Sequence, residues 1–279
     1  MNKLRSLVNN HPLISFFVVA CAYSWGLWGL MMASSRGLLP FSFPTNWTGS
    51  FGPSVAAVIV TAIGGGRGGV RDLLRPIARW RFGAGWYVFV LAGCLLPIGV
   101  SIGIRALLDG GVSLSSDAVI KQLAQIPILY FLILIIGGPL GEEIGWRGYA
   151  LPWLLKRMSG LSASLVVFPM WLIWHLPLFW LEGASQQGSS IAAFVVVVAA
   201  SSVLFTWVYV GTSGSLVSVL LLHTTVNTFS YSISQASPAL DNEPLFNWLV
   251  AAAFGALAIV VVIADKRRML TLAAPEKPR

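Results

Sequence analysis

Long stretches without a charged residue are the feature of this sequence that most restricts its fold. About 20 apolar residues in an α-helix cross the hydrocarbon core of a bilayer, and the helix bonds its own backbone polar groups. Eight such runs predict eight transmembrane helices, at about residues 12–33, 49–65, 85–107, 122–141, 161–181, 190–210, 214–234 and 245–264. The predicted fold class is therefore all-α, a polytopic membrane helix bundle.

The composition agrees with a membrane protein. Only 10% of the 279 residues are charged, whereas soluble domains carry about 25%. We expect a single integral-membrane domain over residues 1–279, because neither end is long enough for a second domain. The first run exceeds the roughly 7–15 residues of a signal-peptide hydrophobic region, so we expect it to remain as a span. The short second run and the polar seventh run are the least typical of the eight.

Basic residues are distributed unevenly between the predicted loops. With the N-terminus in the cytoplasm, the inside segments hold 15 of the 18 Lys and Arg residues and the outside segments hold 3. The positive-inside rule then predicts a cell-membrane protein with both termini cytoplasmic. The net charge of +8 is explained by basic stretches, above all residues 64–83, that face anionic headgroups. Membrane lipid is thus the expected partner, and nucleic acid is not.

Two adjacent glutamates, Glu142 and Glu143, follow the fourth run after a stretch rich in glycine and proline. Neighbouring helical residues point about 100° apart, so the two carboxylates are expected to have different roles. Glu143 and Arg147 have the i, i+4 spacing of a helical ion pair, which predicts that Glu143 is a structural anchor and leaves Glu142 free. The alternative is that both glutamates only cap or solvate the cytoplasmic end of the fourth helix.

Two histidines and an asparagine lie within later runs. Ionisable groups in membrane helices are costly and often functional. His175 is surrounded by tryptophans, and the alternative is that it is a hydrogen-bonded core residue. His223 and Asn227 are four residues apart and share one helix face, although such residues also make simple interhelical contacts. A carboxylate, two imidazoles and a carboxamide in one cytoplasm-facing cavity suit water activation and oxyanion stabilisation.

Three short patterns in this order resemble the CAAX protease and bacteriocin-processing family of intramembrane proteases, which includes the type II CAAX prenyl endopeptidases. They are Glu142-Glu143-x-x-x-Arg147, Trp171-x-x-x-His175 and His223-x-x-x-Asn227. The second pattern commonly begins with phenylalanine in that family, so Trp171 is a departure that keeps an aromatic ring. The motif-bearing core covers about residues 122–227.

The resemblance implies hydrolysis of a peptide bond in a membrane-associated or lipidated peptide. On a glutamate-dependent mechanism without a cofactor, Glu142 and His175 activate water. His223 and Asn227 then stabilise the oxyanion, and Glu143 and Arg147 brace the site.

The resemblance also leaves other functions open. A zinc-dependent metallopeptidase would use Glu142, His175 and His223 as Zn²⁺ ligands, although the common H-E-x-x-H helix is absent. A non-catalytic bacteriocin-immunity or peptide-binding membrane protein is a further possibility. A transporter is another, since glutamates, histidines and broken helices also build ion paths.

Overall fold

The computed structural model describes residues 2–41, 43, 47–109, 116–240 and 243–272. Lys277 and Arg279, which the charge count places inside, lie outside the described residues. The described part is helical, and its α-helices are α1 (Asn2–Asn10), α2 (Pro12–Ser35), α3 (Gly52–Leu74), α4 (Ala84–Leu91), α5 (Leu96–Asp109), α6 (Ser116–Ile136), α7 (Pro139–Gly145), α8 (Leu151–Leu155), α9 (Gly160–His175), α10 (Ile191–Gly211), α11 (Leu216–Ala236), α12 (Pro244–Ala264) and α13 (Lys266–Leu270).

The predicted eight-span helix bundle is confirmed. Within the described ranges, eight helical segments are long and apolar enough to cross a membrane: Pro12–Ser35, Trp47–Ala78, Ala84–Leu108, Asp117–Ile136, Gly160–Phe179, Ile191–Gly211, Leu216–Ala236 and Pro244–Ala264. Six of them lie within a few residues of the predicted runs. The second and fourth differ more, and both differences affect the candidate site.

The second span is much longer than its apolar run. Helix continues from Trp47 to Ala78, 32 residues, which is about 48 Å at ~1.5 Å per residue and exceeds a hydrocarbon core of about 30 Å. Most of the basic stretch at residues 64–83 is therefore the helical continuation of α3. A kink at Gly66, where φ is 62°, marks the change of direction.

The fourth span ends earlier than predicted. α6 stops at Ile136, and Gly138 has a φ of 110°, which breaks the helix before α7 begins at Pro139. Positive φ is a conformation that glycine adopts without the steric cost of a side chain. The two glutamates consequently lie on a separate short helix and not at the end of the fourth transmembrane helix.

The helices that follow begin at serine caps. Ser159, Ser190 and Ser215 precede α9, α10 and α11, and each side chain accepts a hydrogen bond from a backbone N–H in the first turn. A serine oxygen at this position satisfies a donor that has no partner inside the helix. The caps fix where α9 and α11 start, and these two helices carry His175, His223 and Asn227.

Candidate active site

The short helix α7 packs directly against the backbone at the start of α3. A Cβ at Gly141 would lie 2.5 Å from the carbonyl oxygen of Ser50, and one at Gly145 would lie 2.5 Å from that of Pro53. The hydroxyl of Ser54 also donates to the carbonyl of Leu140 at 2.8 Å. Small residues four apart permit this close approach of helices in membranes. The packing fixes the position of both glutamates.

Glu143 is the centre of a buried polar network. Its Oε1 accepts hydrogen bonds from Nη1 of Arg147 at 2.9 Å and from Nδ1 of His223 at 2.8 Å. The side chains of Glu143 and Arg147 are both fully buried. The predicted i, i+4 pair is thus confirmed, and the alternative that the glutamates are solvated is wrong. The bond to His223 was not predicted from the sequence.

Two aromatic rings cover the guanidinium of Arg147. Its Cζ lies 4.3 Å from the ring centre of Trp171 and 4.6 Å from that of Phe205. A guanidinium is attracted to the faces of aromatic rings, more strongly when it is removed from water. Trp146–Ala150 forms a π-helical turn that contains Arg147, and such turns occur frequently at functional sites.

Glu142 points away from Glu143, as their adjacent helical positions require. Its Oε2 accepts a hydrogen bond from the indole nitrogen of Trp171 at 2.7 Å. Only 4% of the residue is exposed. Glu142 lies between the fourth and fifth spans, and burial raises the pKa of its carboxyl to about 7. A carboxyl with this pKa is a stronger base near neutral pH than an exposed one.

The other oxygen of Glu142 faces the helix break. A Cβ built on Gly138 would lie 2.7 Å from Oε1 of Glu142 and 3.9 Å from Nδ2 of Asn227. Asn227 also donates from Nδ2 to the carbonyl of Gly137, at 3.4 Å. A side chain at Gly138 would therefore collide with the carboxylate of Glu142, on the side that faces the amide of Asn227.

Hydrogen bonds fix the tautomers of both histidines. Nδ1 of His175 lies 2.8 Å from the carbonyl oxygen of Trp171, and Nδ1 of His223 lies 2.8 Å from Oε1 of Glu143. A backbone carbonyl only accepts, and Oε1 of Glu143 also accepts from Arg147, so each Nδ1 is assigned as the donor and each Nε2 is left available for other partners. The two imidazole rings lie 5.6 and 5.9 Å from the ring of Trp171.

Glu142, Glu143 and Arg147 lie on α7 and the turn after it, His223 bonds to Glu143, and Asn227 bonds to the carbonyl before α7. His175 bonds to the carbonyl of Trp171 on its own helix, α9. The geometry adds three participants that the sequence interpretation did not identify: the indole N–H of Trp171, the ring of Phe205 and the close approach of Gly138 to Glu142. Of these three, only Trp171 could have been noticed in the sequence, because the family that the chain resembles commonly has phenylalanine at this position.

The zinc alternative requires Glu142, His175 and His223 to converge on one point. The Nε2 atoms of the two histidines are suitable zinc ligands, and a hydrogen-bonded Nδ1 is typical of zinc-binding histidines. Across the described ranges, however, no three His, Cys, Asp or Glu side chains lie close enough together to hold a metal ion. The arrangement of these side chains does not fit a His₂Glu zinc site.

Comparisons with known proteins agree with the motif-based resemblance. Residues 124–229 match the family model described as type II CAAX prenyl endopeptidase Rce1-like. This range includes all three motifs and nearly coincides with the predicted core at 122–227. The chain is also similar to a CAAX prenyl protease 2 from Methanococcus maripaludis, with 29% identity over 180 residues. These residues cover 62% of this chain and 59% of the relative.

Proposed function

We propose that this protein is an intramembrane endopeptidase that hydrolyses a peptide bond in a membrane-associated or lipidated peptide. The observation that carries the proposal is that Trp171 lies next to a polar residue from each of the three motifs. Its indole binds Glu142, its carbonyl binds His175, and its ring lies 5.9 Å from that of His223. The match of residues 124–229 to a prenyl endopeptidase family supports the same reaction class.

Glu142 and His175 activate the attacking water in this proposal. Oε1 of Glu142 accepts the water proton, because Oε2 is held by Trp171. Nε2 of His175 is the second acceptor, since its Nδ1 is held by the Trp171 carbonyl. The hydroxide then attacks the scissile carbonyl carbon, and the proton is passed to the leaving amine. A positioned general base contributes about 10²–10⁴ in rate.

His223 and Asn227 stabilise the oxyanion that forms at the carbonyl. Asn227 donates from Nδ2, which lies beside the open face of Gly138. Donation from Nε2 of His223 requires the imidazolium form, in which Nδ1 donates to the Glu143 carboxylate. One such donor contributes about 10²–10³ in rate. Glu143 and Arg147 hold His223 and α7 in place without touching the substrate.

The substrate reaches the site from the membrane, with the opening towards the cytoplasm. The uneven distribution of basic residues supports this orientation. The description of the matched family names prenyl endopeptidases, which makes a prenylated peptide the first substrate to test.

The test is cleavage by the purified protein in liposomes. The peptide probes share one sequence and carry a prenyl group, an acyl chain or no lipid. Wild type is compared with Glu142→Gln and with Glu182→Gln, a matched change at an exposed glutamate outside the site. We expect cleavage by wild type and Glu182→Gln only. If the peptides bind but neither the wild type nor a variant cleaves them, the endopeptidase function is rejected and a peptide-binding function is favoured.

A further inference from the structure

Trp171 contacts several members of the candidate site at once. Its side chain is 5% exposed. The indole nitrogen donates to Oε2 of Glu142 at 2.7 Å, and the ring face covers the Arg147 guanidinium at 4.3 Å. Its backbone carbonyl accepts from Nδ1 of His175 at 2.8 Å. One residue thus links the carboxylate and the imidazole that are assigned to water activation.

The hydrogen bond distinguishes the two oxygens of Glu142. Oε2 is directed to the indole, and Oε1 is directed to Gly138, on the side where the amide of Asn227 also lies. A carboxylate with two free oxygens can rotate, and a base that leaves its productive geometry by about 1 Å can cost 10²-fold in rate. A short hydrogen bond to a charged acceptor is among the strong ones in proteins.

We propose that Trp171 is a positioning residue for Glu142: its indole N–H holds Oε2 and keeps Oε1 towards the substrate. This inference rests on the proposed function of Glu142 as the base. The bond is a property of this chain, because phenylalanine, common at this position in the resembling family, has no N–H to donate. Trp171 does not contact the reacting atoms in this role.

A phenylalanine substitution separates the two contributions of the side chain. Trp171→Phe keeps an aromatic face for Arg147 and removes the donor to Glu142. A matched control is Trp207→Phe on α10, which removes an indole bond to another carboxylate, Oδ2 of Asp265 at 3.0 Å. If Trp171→Phe does not fold, replacement by benzothienylalanine exchanges the N–H for sulfur with nearly the same ring shape.

The first readout is kinetic. For Trp171→Phe we expect kcat to fall about 10- to 100-fold with KM within about twofold of wild type, because orientation of the base is lost and substrate contacts are kept. Trp207→Phe is expected to retain the wild-type kcat. A wild-type kcat in Trp171→Phe, or a raised KM alone, would overturn the inference.

The second readout does not depend on activity. In protein labelled with ¹⁵N-tryptophan, the indole resonance that disappears in Trp171→Phe belongs to Trp171. We expect this resonance to move upfield in Glu142→Ala and to stay in place in Glu182→Ala. An unmoved resonance in Glu142→Ala would show that the bond is absent. If the wild type cleaves no probe, the proposed function fails, and the resonance alone decides whether Trp171 holds Glu142.

Discussion

Oε1 of Glu143 lies 2.8 Å from Nδ1 of His223, a residue 80 positions further along the chain. The same oxygen accepts Nη1 of Arg147 at 2.9 Å. Glu143 therefore joins the short helix α7 to α11, which carries the proposed oxyanion donors. The second glutamate organises the site, while Oε1 of the first lies close to Gly138.

Glu142→Gln should abolish cleavage and leave the protein folded. The amide oxygen of glutamine can still accept the Trp171 N–H, but it cannot take a proton from water. We expect a loss of about 10²–10⁴ in kcat and a melting temperature close to that of wild type in detergent. Cleavage by Glu142→Gln at the wild-type rate would show that Glu142 is not the general base.

Glu143→Ala should act mainly through stability. It leaves the fully buried Arg147 without its carboxylate partner, and breaking a buried ion pair on one side costs about 3–5 kcal/mol. Arg268→Ala is the comparison, because the Arg268–Asp265 pair is partly exposed and exposed pairs contribute about 0–1 kcal/mol. Melting curves of the three proteins measure the difference. Unchanged stability in Glu143→Ala would contradict the anchor role.

Gly138→Ala should reduce activity through a steric contact with the base. The new methyl group would lie 2.7 Å from Oε1 of Glu142, at a φ of 110°. Gly183→Ala is a matched control, since Gly183 also has a positive φ, 74°, but a methyl group there would meet no atom within 4 Å. Both variants are expected to lose about 1–2 kcal/mol of stability. Only Gly138→Ala should lose cleavage, and equal activity in the two would contradict the assigned water position.

The activity should depend on pH with a midpoint near 7 on the acid side. Burial raises the pKa of Glu142 to about 7, and a general base works only in its ionised form. Below this pH the ionised fraction, and with it kcat/KM, should fall about tenfold per unit. A profile measured from pH 5 to 9 tests this expectation. A flat profile down to pH 5 would show that the base is a group with a lower pKa.

Chelation should leave cleavage unchanged. The glutamate-dependent mechanism uses only side chains, so purified active protein is expected to contain less than stoichiometric zinc. Elemental analysis and an assay with a strong chelator measure both properties. Stoichiometric zinc that is lost in Glu142→Ala, together with activity that a chelator removes, would instead make Glu142, His175 and His223 ligands.

The span count and the Glu143–Arg147 pair could be predicted because both depend on local sequence. Apolar run length gives the spans, and helical spacing gives the pair. The predicted helix boundaries were less accurate. α3 continues into a basic stretch that is too polar to be recognised as part of a span. The break at Gly138 separates α7 from the fourth helix, whereas the apolar run continues through it.

The contacts that complete the site could not be predicted because they join distant parts of the chain. The bond from His223 to Glu143 depends on how α11 packs against α7. The bond from Trp171 to Glu142 depends on a side-chain direction that an aromatic pattern does not specify. Sequence spacing identified the polar residues, while their pairing required the packed bundle.

The backbone packing of α7 on α3 also has a consequence for the order in which the protein assembles. Its seven residues extend only about 10 Å at ~1.5 Å per residue, too short to insert into a bilayer independently. Insertion of the long spans must come first, and α7 is buried only once they associate. The two glutamates therefore reach their buried positions, and the candidate site is completed, only after the long spans have associated.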